Sequence, residues 1–258
     1  MDTDDKLIVS KAFDTVSIAE RQYICKTMGF LNPHQAAVVR REISRKIPSD
    51  IGVEFYGGYK DAERCLFICF PEYLEPDYDS IISVLEITAR DIDKMSHRDY
   101  LGSLMGLGIK RENIGDILPL EDRCYIFTKS DISGYIIDNL LKIGRHGVKI
   151  CKRSLSEITV PEKKTEQVRT TVSSLRLDCI LSGALNMSRG RAAELIRAEK
   201  VQVNFETADS ISKILSPDDL VSVRNFGRFK VAEIGGLTRK GRYGIIKGRY
   251  GIIIEKFI

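Results

Sequence analysis

The clearest periodicity in the chain lies between Ser174 and Asn204. Leu177, Ile180, Leu181, Ala184 and Leu185 recur at helical spacing and form one apolar stripe. Ser174 is the expected N-cap of this helix. Ser188 is the expected N-cap of a second, whose Ala192, Leu195 and Ile196 face the first. Val201 and Val203 then alternate with Gln202 and Asn204, as in a half-buried strand. Leu220–Arg224 and Phe229–Ile234 read as further strands around the turn Asn225-Phe226-Gly227-Arg228.

Two other patterns precede this one. In residues 1–75, Ala12, Val16, Ala19 and Tyr23 suggest a helix, and Asn32-Pro33 opens another through Ala36, Ala37, Val39 and Ile43. Val53–Tyr56 and Cys65–Phe70 look like strands around a Gly57-Gly58-Tyr59 turn. Residues 76–156 follow a strand–helix–strand–helix–strand rhythm: Ile81–Thr88 is strand-like, although Leu85 and Glu86 also suit a helix, Asp116–Thr128 contains one or two strands, and Val148–Leu155 closes as a strand. The helices fall over His97–Leu107, with Leu101, Gly102, Met105 and Gly106 as a close-packed face, and over Asp131–Ile143. That order suits an α+β sandwich of the ferredoxin type. Residues 157–170 have linker composition, although their Thr and Val residues also suit a strand. The expected fold is therefore α+β in three small domains: 1–75, 76–156, and 171–258 with its helix pair and strands.

Composition changes the picture in one respect. The 258 residues are 43% hydrophobic and 29% charged, ordinary for a globular chain. The net charge of +4 is unevenly spread, with 15 Lys+Arg against 9 Asp+Glu from Thr171 onward and 25 against 27 before it. The basic third is the one expected to meet nucleic acid. The start, MDTDDKLIVS, has no basic segment leading into an apolar run, so a cytoplasmic protein without membrane insertion is expected. Six cysteines without a CxxC pair suit free thiols in a reducing compartment. Three histidines far apart in sequence give no basis for a metal site, and no glycine-rich cofactor loop follows a strand, so no cofactor is expected.

The candidate chemistry is anion binding. A helix N-terminus favours carboxylates, yet Arg189 and Arg191 stand in the first turn after Ser188. A phosphate would satisfy the free N–H groups and both guanidinium groups. Arg197 and Lys200 follow near the helix end, Lys110 and Arg111 follow the His97–Leu107 helix, and Arg228 adds to the basic surface. His97-Arg98-Asp99 lacks every accompanying kinase motif, so a kinase is rejected. The segment KGRYGII occurs at 240–246 and again at 247–253, which suits a terminal strand or hairpin lengthened by duplication.

Arg176-Leu177-Asp178, Ser188-Arg189, Ala192, Leu195-Ile196, Lys200-Val201 and Val203-Asn204 together resemble the S-four domain, an RNA-binding module named after a small-subunit ribosomal protein. Glu199 departs from it where a helix-ending glycine is usual, and so does Phe205 after Asn204. With Gly57-Gly58-Tyr59, Ala62-Glu63-Arg64, HRDYLGSLMGLGIKRENIGDI over 97–117, SSLRLD and FGRF at 226–229, nearly the whole chain resembles the YlmH family. An aromatic after the asparagine is common in that family. The resemblance implies an RNA-recognition-like central domain, a C-terminal S-four domain and a non-enzymatic factor on the ribosome. It further implies contact with large-subunit rRNA and tRNA, a part in rescuing obstructed large subunits, other quality-control factors as partners, and a cell-division label. Arg176, Arg189, Arg191, Arg197 and Lys200 are then expected phosphate contacts, with Ser188 and Asn204 fixing or reading local geometry. The alternative is a pseudouridine synthase, whose aspartate motif Arg176-Leu177-Asp178 and Ser182-Gly183 imitate. Only 171–258 would remain for both modules, so Asp178 is expected to be a surface or capping carboxylate.

Overall fold

A computed structural model of the chain describes residues 3–44, 46–161, 165–235, 245–246 and 249–257. The chain divides into two compact units, Met1–Val160 and Pro161–Ile258.

Among the described residues the first unit contains two larger sheets and a two-stranded hairpin. Helix α1 (Thr3–Gln22) buries Val9, Ala12, Val16 and Ala19 and leads into β1 (Lys26–Thr27). Helix α2 (Pro33–Ile43) starts where Asn32-Pro33 predicts. Asn32 Oδ1 accepts from Gln35 N, and Gln35 Oε1 accepts from Asn32 N, each at 2.9 Å. Strands β2 (Ile51–Tyr56) and β3 (Leu66–Pro71) complete a three-stranded antiparallel sheet with β1, ordered β1-β3-β2. A single turn, α3 (Tyr78–Ile81), then enters β4 (Ile82–Thr88), followed by α4 (His97–Gly106), β5 (Ile114–Pro119), β6 (Cys124–Lys129) and α5 (Ser130–Asn139). A short hairpin of β7 (Lys142–Ile143) and β8 (His146–Gly147) precedes β9 (Lys149–Arg153). The second sheet is antiparallel in the order β5-β6-β4-β9, the ferredoxin-type arrangement that the rhythm of residues 76–156 suggests.

Two expectations in this unit need correction. The helix expected to reach Ile143 ends at Asn139. Leu140 and Ile143 remain buried, so the apolar rhythm continues although the backbone turns into a hairpin around Gly144, whose φ is 57°. On α4 it is Tyr100 and Leu104 that are buried, while a Cβ at Gly102 or Gly106 would meet nothing within 4 Å. These glycines face open space.

The two faces of the second sheet have different fates. Leu85, Ile87, Cys124 and Ile126 pack beneath α4 and α5 with Tyr100, Leu104 and Ile136. The opposite face, Ile82, Val84, Tyr125 and Phe127, packs with Phe30, Leu66 and Ile68 of the N-terminal half. The two sheets thereby share a core inside one unit.

In the second unit β10 (Thr165–Val172) leads to α6 (Leu177–Ala184), α7 (Arg189–Arg197), β11 (Val201–Val203) and β12 (Glu206–Thr207). Strands β13 (Leu220–Val223), β14 (Gly227–Ile234), β15 (Ile245–Ile246) and β16 (Arg249–Phe257) follow. The sheet runs β10-β16-β14-β13-β11-β12, and β15 pairs with β16. Residues 165–170, expected within a linker, form strand: Val168 pairs with Ile254 and Thr170 with Ile252 at the core face. Helix α6 lies close on β10, since a Cβ at Gly183 would come within 3.1 Å of Thr170 and 3.2 Å of Val172. Most of the first KGRYGII copy lies outside the described residues. Its Ile245 and Ile246 pair with Tyr250 and Arg249 of the second.

Candidate nucleic-acid interface

Helix α6 starts differently from expectation. Ser174 does not cap it. Ser174 Oγ accepts from Arg176 N at 3.3 Å, and the helix begins at Leu177. The orphan N–H groups of Leu177 and Asp178 are satisfied by carbonyls of a distant loop, Lys213 O at 2.8 Å and Ile211 O at 3.3 Å. Ser188 does cap α7, accepting from Arg191 N at 3.2 Å.

Asp178 is 4% exposed, so it is a buried carboxylate and not a surface one. Arg176 Nε donates to its Oδ1 at 3.1 Å and Arg189 Nη2 to its Oδ2 at 2.7 Å. Burial raises the Asp178 pKa, but the hydrogen bonds and charges of Arg189 and Arg176 prevail and hold it below the ordinary carboxylate value. The same contact raises the Arg189 pKa. A guanidinium has five donors, so one bond to Asp178 anchors each arginine and leaves the rest available. The side chains of Arg176 and Arg189 remain 39% and 54% exposed. Ser182 and Gly183, which imitate an enzyme motif, have structural duties: Ser182 Oγ donates to Met187 O at 2.6 Å, and Gly183 seats the helix on β10.

The other sequence-selected residues surround this pair with different degrees of freedom. Arg191 meets Glu194 at 3.0 Å on the helix surface. Arg197 ends α7, and Lys200 follows Glu199, which takes the left-handed φ of 56° that suits a glycine. No carboxylate meets Arg197 or Lys200 among the described residues. Asn204 and Phe205 have φ of 52° and 68° and form the two-residue turn between β11 and β12. The Asn204 amide is held at both ends, donating to Asp219 Oδ1 at 2.7 Å and accepting from Leu220 N at 2.9 Å, which fixes the turn. Arg228 lies 6.0 Å from the Phe205 ring centroid.

In the first unit, Lys110 is exposed ahead of a short 3-10 turn. Arg111 points inward, donating to Ile114 O at 2.6 Å and Gly115 O at 3.2 Å. Sequence reasoning missed the network around it. Asp116, 8% exposed, accepts from Tyr59 Oη at 2.7 Å, Glu63 N at 2.7 Å and Arg64 N at 3.0 Å. Arg64 donates to the carbonyls of Phe30, Arg111 and Ile114 at 2.8, 3.2 and 2.9 Å. Burial, then the Arg111 charge, lowers the Arg64 pKa to about 10. Gly57 and Gly58 belong to this clamp. A Cβ on Gly57 would strike the Arg64 carbonyl and Ala62, while Gly58, at φ 98°, lies against Phe127. In the sequence the network shows only as separate motifs, Gly57-Gly58-Tyr59, Ala62-Glu63-Arg64 and the 97–117 stretch that contains Asp116, with nothing to pair them.

Residues 75–157 match a family model described as "Putative RNA-binding domain in YlmH". Over 245 residues the chain is 31% identical to "Ribosome-associated protein quality control protein P2" of Bacillus subtilis (strain 168), covering 94% of each chain. A solved structure, "Cell division protein ylmH from Streptococcus pneumoniae", matches with a TM-score of 0.52 and 25% identity over 61% of this chain and 95% of that one. With that identity along nearly its entire length, the chain belongs to the YlmH family.

Proposed function

We propose that the protein is an RNA-binding, ribosome-associated factor without catalytic activity. It contacts large-subunit rRNA with tRNA close by and acts in the rescue of obstructed large subunits. The observation that carries this reading is the cationic pair at the starts of α6 and α7, where Arg176 and Arg189 are anchored on one buried carboxylate with donors to spare. Arg191, Arg197, Lys200 and Arg228 extend the proposed phosphate surface, and Lys110 is a further contact from the first unit. Arg111 serves the fold. The Bacillus subtilis relative's name and the description of the matched domain support the ribosome and RNA parts of the reading. Asp178 is committed to two guanidinium groups inside the helix pair, which supports a positioning role over that of a synthase nucleophile.

Sedimentation in a gradient tests the cellular part: the protein should comigrate with free large subunits. The molecular part is tested by Arg189→Ala/Arg191→Ala, which should weaken RNA binding. Each lost phosphate contact should lower the slope of log K against log salt by roughly 0.7–0.9. An unchanged slope in a folded variant removes these residues from the interface.

A further inference from the structure

The sheet of the matched central domain cannot stack bases on its broad face. Tyr125 and Phe127, the aromatic residues on that face of β6, are 6% and 0% exposed beneath Phe30, Leu66 and Ile68. Charge in the same unit is sharply segregated. Residues 140–156 carry five Lys+Arg and no Asp or Glu, whereas the rest of Met1–Val160 carries 17 Lys+Arg against 25 Asp+Glu.

The fold displays that run on one edge. Strand β9 ends the sheet order, and Lys149, Cys151, Lys152 and Arg153 are exposed on it. Its register with β4 sets Lys149 and Arg153 on one face and Lys152 on the other, so cations straddle the edge. Lys142 and Arg145 are exposed on the β7–β8 hairpin, which runs directly into β9 and is closed at its base by Val148 N donating to Leu141 O at 3.1 Å. Among the described residues no carboxylate meets Lys142, Arg145, Lys149 or Lys152, while Lys94 and Lys129 each meet one and Arg123 meets two. Glu86 holds Arg153 at 2.9 Å. Lysines on an edge strand also deter strand-to-strand aggregation. That role explains neither the hairpin cations nor the removal of every acidic residue from the run.

We infer that the β7–β8 hairpin and the β9 edge form a second RNA contact, which grips the phosphate backbone without reading bases. It rests on the RNA-binding reading above. Lys149 to Arg153 spans about 13 Å along the strand, room for a few phosphates.

The test measures binding of the full chain to purified large-subunit rRNA across a salt series. Lys149→Gln/Lys152→Gln should lower the slope of log K against log salt by about 1.5 if both lysines contact phosphate. Lys142→Gln/Arg145→Gln should lower it similarly, and Lys149→Arg/Lys152→Arg should keep it. These side chains are exposed, and thermal unfolding confirms that each variant is folded. Arg197→Ala/Lys200→Ala reports the second unit separately. If that variant weakens binding while the Gln variants keep the wild-type slope, the inference is overturned and the reading it rests on stands. Gln variants that aggregate with an unchanged slope overturn it too, assigning the lysines to edge protection. Wild type with no salt-dependent RNA binding overturns both.

Discussion

Asp116 offers the sharpest test of how the first unit is held together. It is 8% exposed and accepts three hydrogen bonds, from Tyr59 Oη and from the backbone N–H groups of Glu63 and Arg64. Asp116→Ala removes both acceptor oxygens, and with them all three hydrogen bonds, beside the half-buried Arg64. Each bond to a charged acceptor contributes about 1.5–3 kcal/mol, and orphaned donors that gain water recover part of it. A net loss of about 3–5 kcal/mol is expected, because three hydrogen bonds to one buried carboxylate are lost together. Tyr59→Phe removes one bond and should cost about 1–2 kcal/mol.

Urea unfolding followed by circular dichroism measures this directly, since the chain has no tryptophan to report by fluorescence. With m near 2 kcal/mol/M, Asp116→Ala should move the midpoint of the first unit by about 2 M. The Tyr59→Phe loss should largely vanish in the Asp116→Ala background, because the bond is already gone. An Asp116→Ala loss below about 1 kcal/mol, or full additivity with Tyr59→Phe, would refute the clamp.

Two further outcomes follow from the second unit. Asp178 has a depressed pKa in the folded state, so its contribution is present above the unfolded value near 3.9 and disappears as pH falls through the folded one. Asp178→Asn should therefore lower the urea midpoint at pH 7, with the gap to wild type narrowing below pH 4; a gap that stays constant to pH 2 sinks the paired-carboxylate assignment. Glu199→Gly, at φ 56°, should stabilise the unit by about 0.5–1 kcal/mol in thermal unfolding, and destabilisation would show that the Glu199 side chain matters more than its backbone strain.

Local order was legible in the sequence wherever one element determined it. Asn32-Pro33 marked the start of α2 because both the cap and the fixed proline φ act within one turn. Ser188 marked α7 for the same reason. Ser174 misled because the N-terminus of α6 is satisfied by Ile211 and Lys213, more than 30 residues away. Asp178, at the start of a helix, reads as a partner of the dipole. Its bond to Arg189, eleven residues on, depends on how α6 and α7 pack. The clamp is still less local, since Tyr59 and Asp116 are 57 residues apart, one in the turn between β2 and β3 and the other in β5 of the second sheet. No periodicity records that Phe30 and Leu66 would cover Tyr125 and Phe127, because both faces of that sheet are apolar.

Both units hold two arginines on one carboxylate, but with different electrostatic results. Arg123 and Arg153 bond to the two oxygens of Glu86 at 3.0 and 2.9 Å, and Arg123 is also held by Asp122 at 2.6 Å, so that cluster sums to zero. Arg176 and Arg189 share Asp178 alone and retain one net positive charge. Anchoring has an entropic consequence. A free arginine side chain gives up on the order of 1.5–2 kcal/mol of rotamer freedom when ordered. At Asp178 much of that loss occurs on folding, so a phosphate arriving there meets guanidinium groups already oriented. The cations of β9 lack such an anchor, apart from Arg153, and depend on their number and alignment along the strand. The proposed phosphate contact at α6–α7 would accordingly be fixed in geometry, whereas the one inferred along β9 would tolerate exchange of lysine for arginine.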